Sequence, residues 1–184
     1  MTRGPSASPE PPGLDPAHAH VGMGSNLGDR AGNLLLGLRG MLAAGLRVLR
    51  LSSVYETEPA GVGEEQPAYL NAVAELGPPL PPPEELLARL LKIEYALGRR
   101  RARSLAPRTL DLDLLLYGDA RSGSALLSLP HPRMHLRRFV LAPLCELVPE
   151  ARHPVLDKTY AELLAATPPR PSVKLWSPDK STEC

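Results

Sequence analysis

The sequence predicts one α/β (α+β) domain of βαββαβ order. Three observations predict it: two helical apolar stripes with a pair of strand patterns between them, an alternating strand after the second helix, and turn residues at each junction. With 184 residues, 43% of them hydrophobic, the chain can bury one proper core and has little left for a second. A short strand over His20 to Met23 runs into the glycine turn GSNLGD. A helix from Arg30 to Ala44 follows, in which Leu34, Leu35, Leu38, Met41 and Leu42 recur at helical spacing and Gly45 takes the C-terminal cap position. Leu46 to Glu56 reads as strand two, and the Gly/Pro loop TEPAGVGEEQP leads it into strand three, Tyr69 to Leu76, so the two are expected to pair as an extended hairpin. The connector GPPLPP cannot be helix interior. Pro83 with Glu84 and Glu85 gives helix two its first turn, and the stripe Leu86, Leu90, Ile93 and Leu97 ends at Gly98. TLDLDLLLY alternates from Thr109 as strand four and stops at Gly118 and Asp119. This order is the split-βαβ arrangement of ferredoxin-like folds, here a sandwich with extra C-terminal helical elements near Arg137 to Leu147 and Tyr160 to Ala166.

Residues 1–17, rich in Pro, Gly and Ser, cannot repay their ordering entropy and are expected to form a disordered tail. Residues 168–184 read the same way, which leaves 18–167 as the single domain. Lys plus Arg number 21 against 20 Asp plus Glu, a net charge of +1, so no global field draws the chain to nucleic acid or to a membrane surface. Cys145 and Cys184 lie far apart without metal-ligand spacing, which argues against a disulfide framework or a zinc site and fits a reducing cytoplasm. No apolar run reaches signal-peptide or membrane-span length.

The chemistry concentrates in two adjoining segments. Asp111 and Asp113 are two apart on a strand, so both side chains leave one face, with Cα atoms about 7 Å apart, while Leu110, Leu112 and Leu114 take the other. Two like charges beside an apolar run repel unless a hard cation neutralises them, and magnesium suits two carboxylates. The plain alternative is the solvent face of an amphipathic edge strand. Immediately upstream, GRRRARSLAPR places Arg99, Arg100, Arg101, Arg103 and Arg108 in one loop. Guanidinium forks fit phosphate oxygens, so metal ligands and phosphate ligands adjoin, as a magnesium–nucleoside triphosphate site requires, although an Arg-rich helix end is also simply well solvated. No Walker A sequence offers another phosphate cradle. GMGSNLG has a dinucleotide-type glycine spacing, but strand two runs directly into strand three, and such folds need repeated βα units. His131, Arg137 and Arg138 in LPHPRMHLRRF offer further phosphate contacts. Tyr69 and Asn71 share a strand face, where an amide suits the edge of a heteroaromatic ring, and Phe139, the single Phe, can stack on a planar ligand or fill the core.

Taken in order, GSNLGD, SSVYETEPAGVGEEQPAYLNA, GRRRARSLAPRTLDLDLLLYG and LPHPRMHLRRFVLAPLCEL resemble the 6-hydroxymethyl-7,8-dihydropterin pyrophosphokinase family of folate biosynthesis, over roughly His20 to Glu150. The resemblance implies two magnesium ions, ATP as co-substrate, and pyrophosphate transfer to the pterin hydroxymethyl oxygen. It implies Asp111 and Asp113 as the magnesium ligands, Arg99, Arg101, Arg108, His131 and Arg137 as triphosphate contacts, and Arg99 and Arg108 among the catalytic groups. By the same resemblance Asn71 reads the pterin edge, Tyr69 and Phe139 lie at the ring pocket, Thr57 and Ala60 line it through the backbone, and Glu94 contacts the nucleotide. Both substrates are small molecules, and the expected state is a cytoplasmic monomer. The chain departs from the family where many relatives carry a Trp before the Ala-Pro-Arg segment: Leu105 and Ala106 precede Pro107 here. His20 also stands at a strand position that is usually apolar.

Two other readings share parts of this pattern. An RNA-recognition module has the same βαββαβ order but stacks bases on exposed aromatics of its first and third strands, where this chain has HVGM and Tyr69 alone. A metal-dependent nuclease would also pair two Asp with Arg, and an ATP-dependent pterin assay set against RNA cleavage separates the two.

Overall fold

Alternation in the first strand, AHVGMGS, puts Ala19, Val21 and Met23 on one face and His20, Gly22 and Gly24 on the other, and the remaining elements assemble around it. The computed structural model describes residues 13–58, 67–98 and 107–178. In chain order the elements are β1 (Ala19–Ser25), α1 (Arg30–Ala43), β2 (Arg47–Leu51), β3 (Tyr55–Thr57), β4 (Tyr69–Gly77), α2 (Pro83–Ala96), β5 (Asp111–Tyr117), β6 (Ser122–Gly123), β7 (Ser128–Leu129), α3 (Arg138–Leu147), α4 (Tyr160–Ala166) and β8 (Val173–Leu175). A 3-10 turn at Met134–Leu136 precedes α3. The main sheet runs β5-β1-β4-β3-β8, with β2 also paired to β4, and every pairing is antiparallel. The expected second strand is divided at residues 52–54, where Ser52 Oγ accepts the Val73 N–H at 2.9 Å and the Ser53 N–H donates to Glu146 at 2.7 Å.

Both sheet faces are covered. On one side α1 and α2 bring Leu34, Met41, Leu86, Leu90 and Ile93 against Val21, Met23, Leu70, Leu112 and Leu114. Asp29 caps α1 by accepting the Gly32 N–H at 2.9 Å. The helix buries Leu34, Gly37 and Met41, whereas Leu35 and Leu42 of the expected stripe face solvent. A Cβ at Gly40 would stand 2.6 Å from Ile93 Cγ2, so the two helices meet closely because no side chain intervenes. On the other side α3 and α4 pack Val140, Leu141, Leu144, Tyr160 and Leu163 against Val73, Leu115 and Leu116. Leu114 pairs with Val21 and Leu116 with His20, so Leu115 is an extra residue in β5, and the bulge turns both Leu115 and Leu116 toward this second core. Among the described residues no helix is long and apolar enough to cross a membrane.

The ends depart from the expected tails. Leu14 is buried in the second core, and the His18 carbonyl accepts the Gly118 N–H at 2.7 Å, which ties residues 13–18 down. Within the expected C-terminal tail, Val173–Leu175 pairs with β3, Trp176 packs on the first core, and its N–H donates to Val54 O at 2.9 Å. Proline-rich composition hid this strand, because three residues of pairing leave almost no pattern.

His20 has an account in the fold. It is 2% exposed and opposite Glu75, also buried, whose carboxylate takes a hydrogen bond from His18 Nδ1 at 2.9 Å and an ion pair from Arg50, with His20 Nε2 3.9 Å away. Burial pushes His20 down to about 4, against the opposing pull of Glu75. Burial works to raise the Glu75 carboxyl, yet Arg50 and the two histidines hold it below its ordinary value.

Removing residues 172–184 should therefore lower the melting temperature by several degrees, roughly 4 °C per kcal/mol lost, in a thermal melt of the shortened chain. The unfolded chain protonates His20 near its ordinary value of 6.5 while the fold keeps it neutral to about 4, so the unfolded state binds more protons in between and stability falls as pH falls. His20→Gln should abolish about 2 kcal/mol of the stability lost between about pH 7 and pH 5, measured by denaturant titration at each pH.

Candidate active site

Because opposite residues of antiparallel strands share a face, register decides which polar groups meet. One row crosses four strands: Tyr55 of β3 stands opposite Asn71 of β4, Asn71 opposite Gly24 of β1, and Gly24 opposite Asp111 of β5. The next row joins Val73, Gly22 and Asp113. The two aspartates thus lie on the α3 side of the sheet, where Leu115 and Leu116 also point, and Leu112 and Leu114 lie on the α1/α2 side. Glycines at 22 and 24 keep the floor between them low; a Cβ at Gly24 would sit 3.4 Å from Asn71 Oδ1 and 3.9 Å from Asp111 Cβ.

Cations converge on the carboxylates. Arg108 Nη1 donates to Asp111 Oδ2 at 2.5 Å, and Arg137, just before α3, places Nη1 3.9 Å from Asp113 Oδ2. Burial would lower the pKa of Arg108, but Asp111 overcomes it and holds it up. Burial and neighbouring Arg133 push Arg137 down, partly offset by Asp113 and Asp111. His131 is carried here by its N–H bond to Leu115 O at 2.9 Å. Burial, then Arg137 and Arg133, push its imidazole down to about 4, so it is neutral near pH 7. Its Nδ1 accepts the Arg133 N–H at 3.3 Å, which leaves the proton on Nε2, a donor suited to an anion.

Beside this charged group lies a row of polar contacts on β3 and β4. Asn71 Nδ2 donates to Thr57 Oγ1 at 3.0 Å, both buried, and Tyr69 stands opposite Thr57. Burial raises the Tyr69 phenol, which keeps it a hydrogen-bond donor. The Arg137 guanidinium lies over the Phe139 ring at 5.6 Å, so the aromatic is joined to the cationic group. The structure therefore brings together Thr57, Tyr69, Asn71, Arg108, Asp111, Asp113, His131, Arg137 and Phe139. Ala60, Arg99 and Arg101 lie outside the described residues. Glu94 is placed apart from the aspartate face: buried on α2, its Oε1 accepts the Leu112 N–H at 2.7 Å and so covers the outer edge of β5.

Three supporting groups escaped sequence reasoning. Arg30 Nη1 donates to Glu56 Oε1 at 2.8 Å and Ala68 O at 2.7 Å, joining the strand ends on either side of residues 59–66. Asn26 and Asn33 organise the turn after β1. Their partners are up to 82 residues away, beyond any local pattern.

Residues 20–149 match the 7,8-dihydro-6-hydroxymethylpterin-pyrophosphokinase (HPPK) family, which covers well over half of the chain. The chain belongs to this family. A 2-amino-4-hydroxy-6-hydroxymethyldihydropteridine pyrophosphokinase of Synechocystis is 44% identical over 147 residues, 79% of this chain and 74% of the relative. The enzyme of the same name from Bacillus subtilis is 37% identical over 86% of this chain and 89% of its own length. Among solved structures, Plasmodium falciparum HPPK-DHPS with pteroate superposes with a TM-score of 0.63 over 80% of this chain at 15% identity, a likeness of fold. This chain spans 44% of that longer one. As a pyrophosphokinase of this family, the chain is an ATP-dependent transferase acting on a hydroxymethyldihydropterin in folate synthesis.

Glu94→Ala should destabilise the pyrophosphokinase by about 1 to 3 kcal/mol in urea titration, because a buried Leu112 N–H loses its acceptor at an edge strand.

Proposed function

We propose that the face of β5, β1 and β4 described above is where the chain moves pyrophosphate from ATP to the hydroxymethyl group of 6-hydroxymethyl-7,8-dihydropterin, leaving AMP and the pterin diphosphate. The observation that carries it is the row from Asn71 through Gly24 to Asp111, which sets a ring-reading amide and a carboxylate on one floor. We read the fold as ferredoxin-like, supported by the antiparallel β5-β1-β4-β3 order with α1 and α2 on one face.

The donor set fits magnesium. Among the described residues no group of three His, Cys, Asp or Glu gathers, so the chain offers two hard carboxylates, and magnesium accepts one or two carboxylates with phosphate and water oxygens completing its shell. Asp111 and Asp113 would hold two such ions, which when bound offset charge on the triphosphate. Arg108, Arg137 and the His131 Nε2–H, with Arg99 and Arg101, bind the triphosphate oxygens and hold the chain of phosphates straight. Glu94 acts from beneath, fixing the strand that carries the aspartates. Asn71 reads the donor and acceptor edge of the pterin, Thr57 orients that amide, and Tyr69, Phe139 and the backbone of Ala60 enclose the ring. Catalysis is by positioning: the pterin hydroxyl oxygen bonds to the β-phosphorus, the bond from that phosphorus to the oxygen of the α-phosphate breaks, and the hydroxyl proton leaves to solvent. The enzyme acts as a cytoplasmic monomer on two small substrates.

With magnesium, ATP and 6-hydroxymethyl-7,8-dihydropterin, phosphorus NMR should show AMP formed in step with a pterin diphosphate. Asp113→Asn should lower that turnover by about a hundredfold or more with the fold intact, since a charge ligand is lost without loss of volume. ADP as product, or AMP made without the pterin, would contradict the reading.

A further inference from the structure

The turn after β1 matters beyond ending a strand. Asn26 is fully buried, and it grips one residue 82 positions away from both sides: its Oδ1 accepts the Arg108 N–H at 2.8 Å and its own N–H donates to the Arg108 carbonyl at 3.2 Å. β5 begins only at Asp111, and Pro107 has no N–H, so the peptide groups of Arg108 stand outside the strand ladder. The Asn26 amide acts as a surrogate backbone that extends β1 toward this stretch. Asn26 is itself held by its neighbours, because Asn33 Nδ2 on α1 donates to Ser25 Oγ at 3.2 Å and to Leu27 O at 2.8 Å. At the far end, Arg108 Nη1 reaches Asp111 Oδ2 at 2.5 Å. Hydrogen bonds and the covalent chain between them thus link the first turn of α1 in one line to a carboxylate of the site.

We propose that Asn26 is a positioning residue for pyrophosphoryl transfer, fixing the Arg108 backbone so that its guanidinium is preset against Asp111 and the phosphates. The proposal rests on the reading of Arg108 as a triphosphate contact. A residue held at both its N–H and its carbonyl cannot pivot freely, and a guanidinium on a flexible stem needs a fixed root to keep its fork in register. The pterin-reading amide is held by a separate bond, Asn71 Nδ2 to Thr57 Oγ1 at 3.0 Å.

The test is a double-mutant cycle with Asn26→Ala, Arg108→Ala and the pair, in steady-state turnover with magnesium, ATP and the pterin. Asn26→Ala alone should lower kcat about tenfold and leave KM for the pterin within about twofold. In the Arg108→Ala background the same change should alter kcat by less than about twofold, since the group it positions is gone. Should Asn26→Ala not fold, Asn33→Ala at the partly exposed start of the line goes through the same cycle with the same expectation. Equal losses with and without the Arg108 side chain, or wild-type kcat in the single variant, overturn the proposal while leaving the activity standing. A wild-type chain that makes no AMP, or Arg108→Ala at full turnover, overturns the reading beneath it as well.

Discussion

Two carboxylates on one face of a strand repel each other, and the fold around Asp111 and Asp113 is organised by the need to keep them there. A hydrophobic sheet would ordinarily send such a pair to solvent. Here Leu112 and Leu114 anchor the strand in the first core, the bulge at Leu115 anchors its second half in the other, and Glu94 fastens the edge. The strand cannot turn its acidic residues away without losing burial on both sides. What remains is compensation by cation, and the arginines come from two separate loops to provide it.

The same sheet face holds a second polar centre with the opposite solution. At the other end of β1 and β4, the buried Glu75 meets His18, His20 and Arg50, and Asp15 lies 3.6 Å from His18. His20 and Arg50 come from strands already paired in register, so this cluster serves as a structural knot. At the aspartate end the cations come from loop residues, which can meet a ligand as well as the carboxylates. Between the two, α3 covers the middle of the face, tied down where Glu146 accepts from the Ser53 N–H and the Tyr55 hydroxyl. One surface thereby carries two polar centres, one on either side of α3.

Much of this was legible in the chain. Helical and strand periods located α1, α2, β4 and β5 to within a residue or two, because each has a long apolar pattern bounded by Gly or Pro. The Asp111 and Asp113 pair was readable from alternation alone. The break at residues 52–54, the three-residue β8 and the burial of Leu14 were not, since each depends on a tertiary partner rather than a local period. In the site, Asn71, Arg108, His131 and Arg137 stand out by residue type and are given roles by the family resemblance, but their meeting is a matter of register and loop closure. Asn26 and Arg30 sit in segments that read locally as a turn and a helix start, and what they hold lies far along the chain.

The row from Asn71 through Gly24 to Asp111 also has a length. Neighbouring strands are separated by about 4.8 Å, so the Cα atoms of residues two strands apart in one row stand about 10 Å from each other. Hydrogen bonding along β1 fixes that interval between the backbones, and the side chains reach in over Gly24, whose Cβ position lies 3.4 Å from Asn71 Oδ1 and 3.9 Å from Asp111 Cβ. For the roles proposed for these two residues, the sheet works as a gauge: it admits a flat ring whose reactive oxygen projects one short carbon arm beyond the edge that Asn71 holds. Selection by reach then comes from the spacing of the backbone itself, independent of how tightly the ring is enclosed.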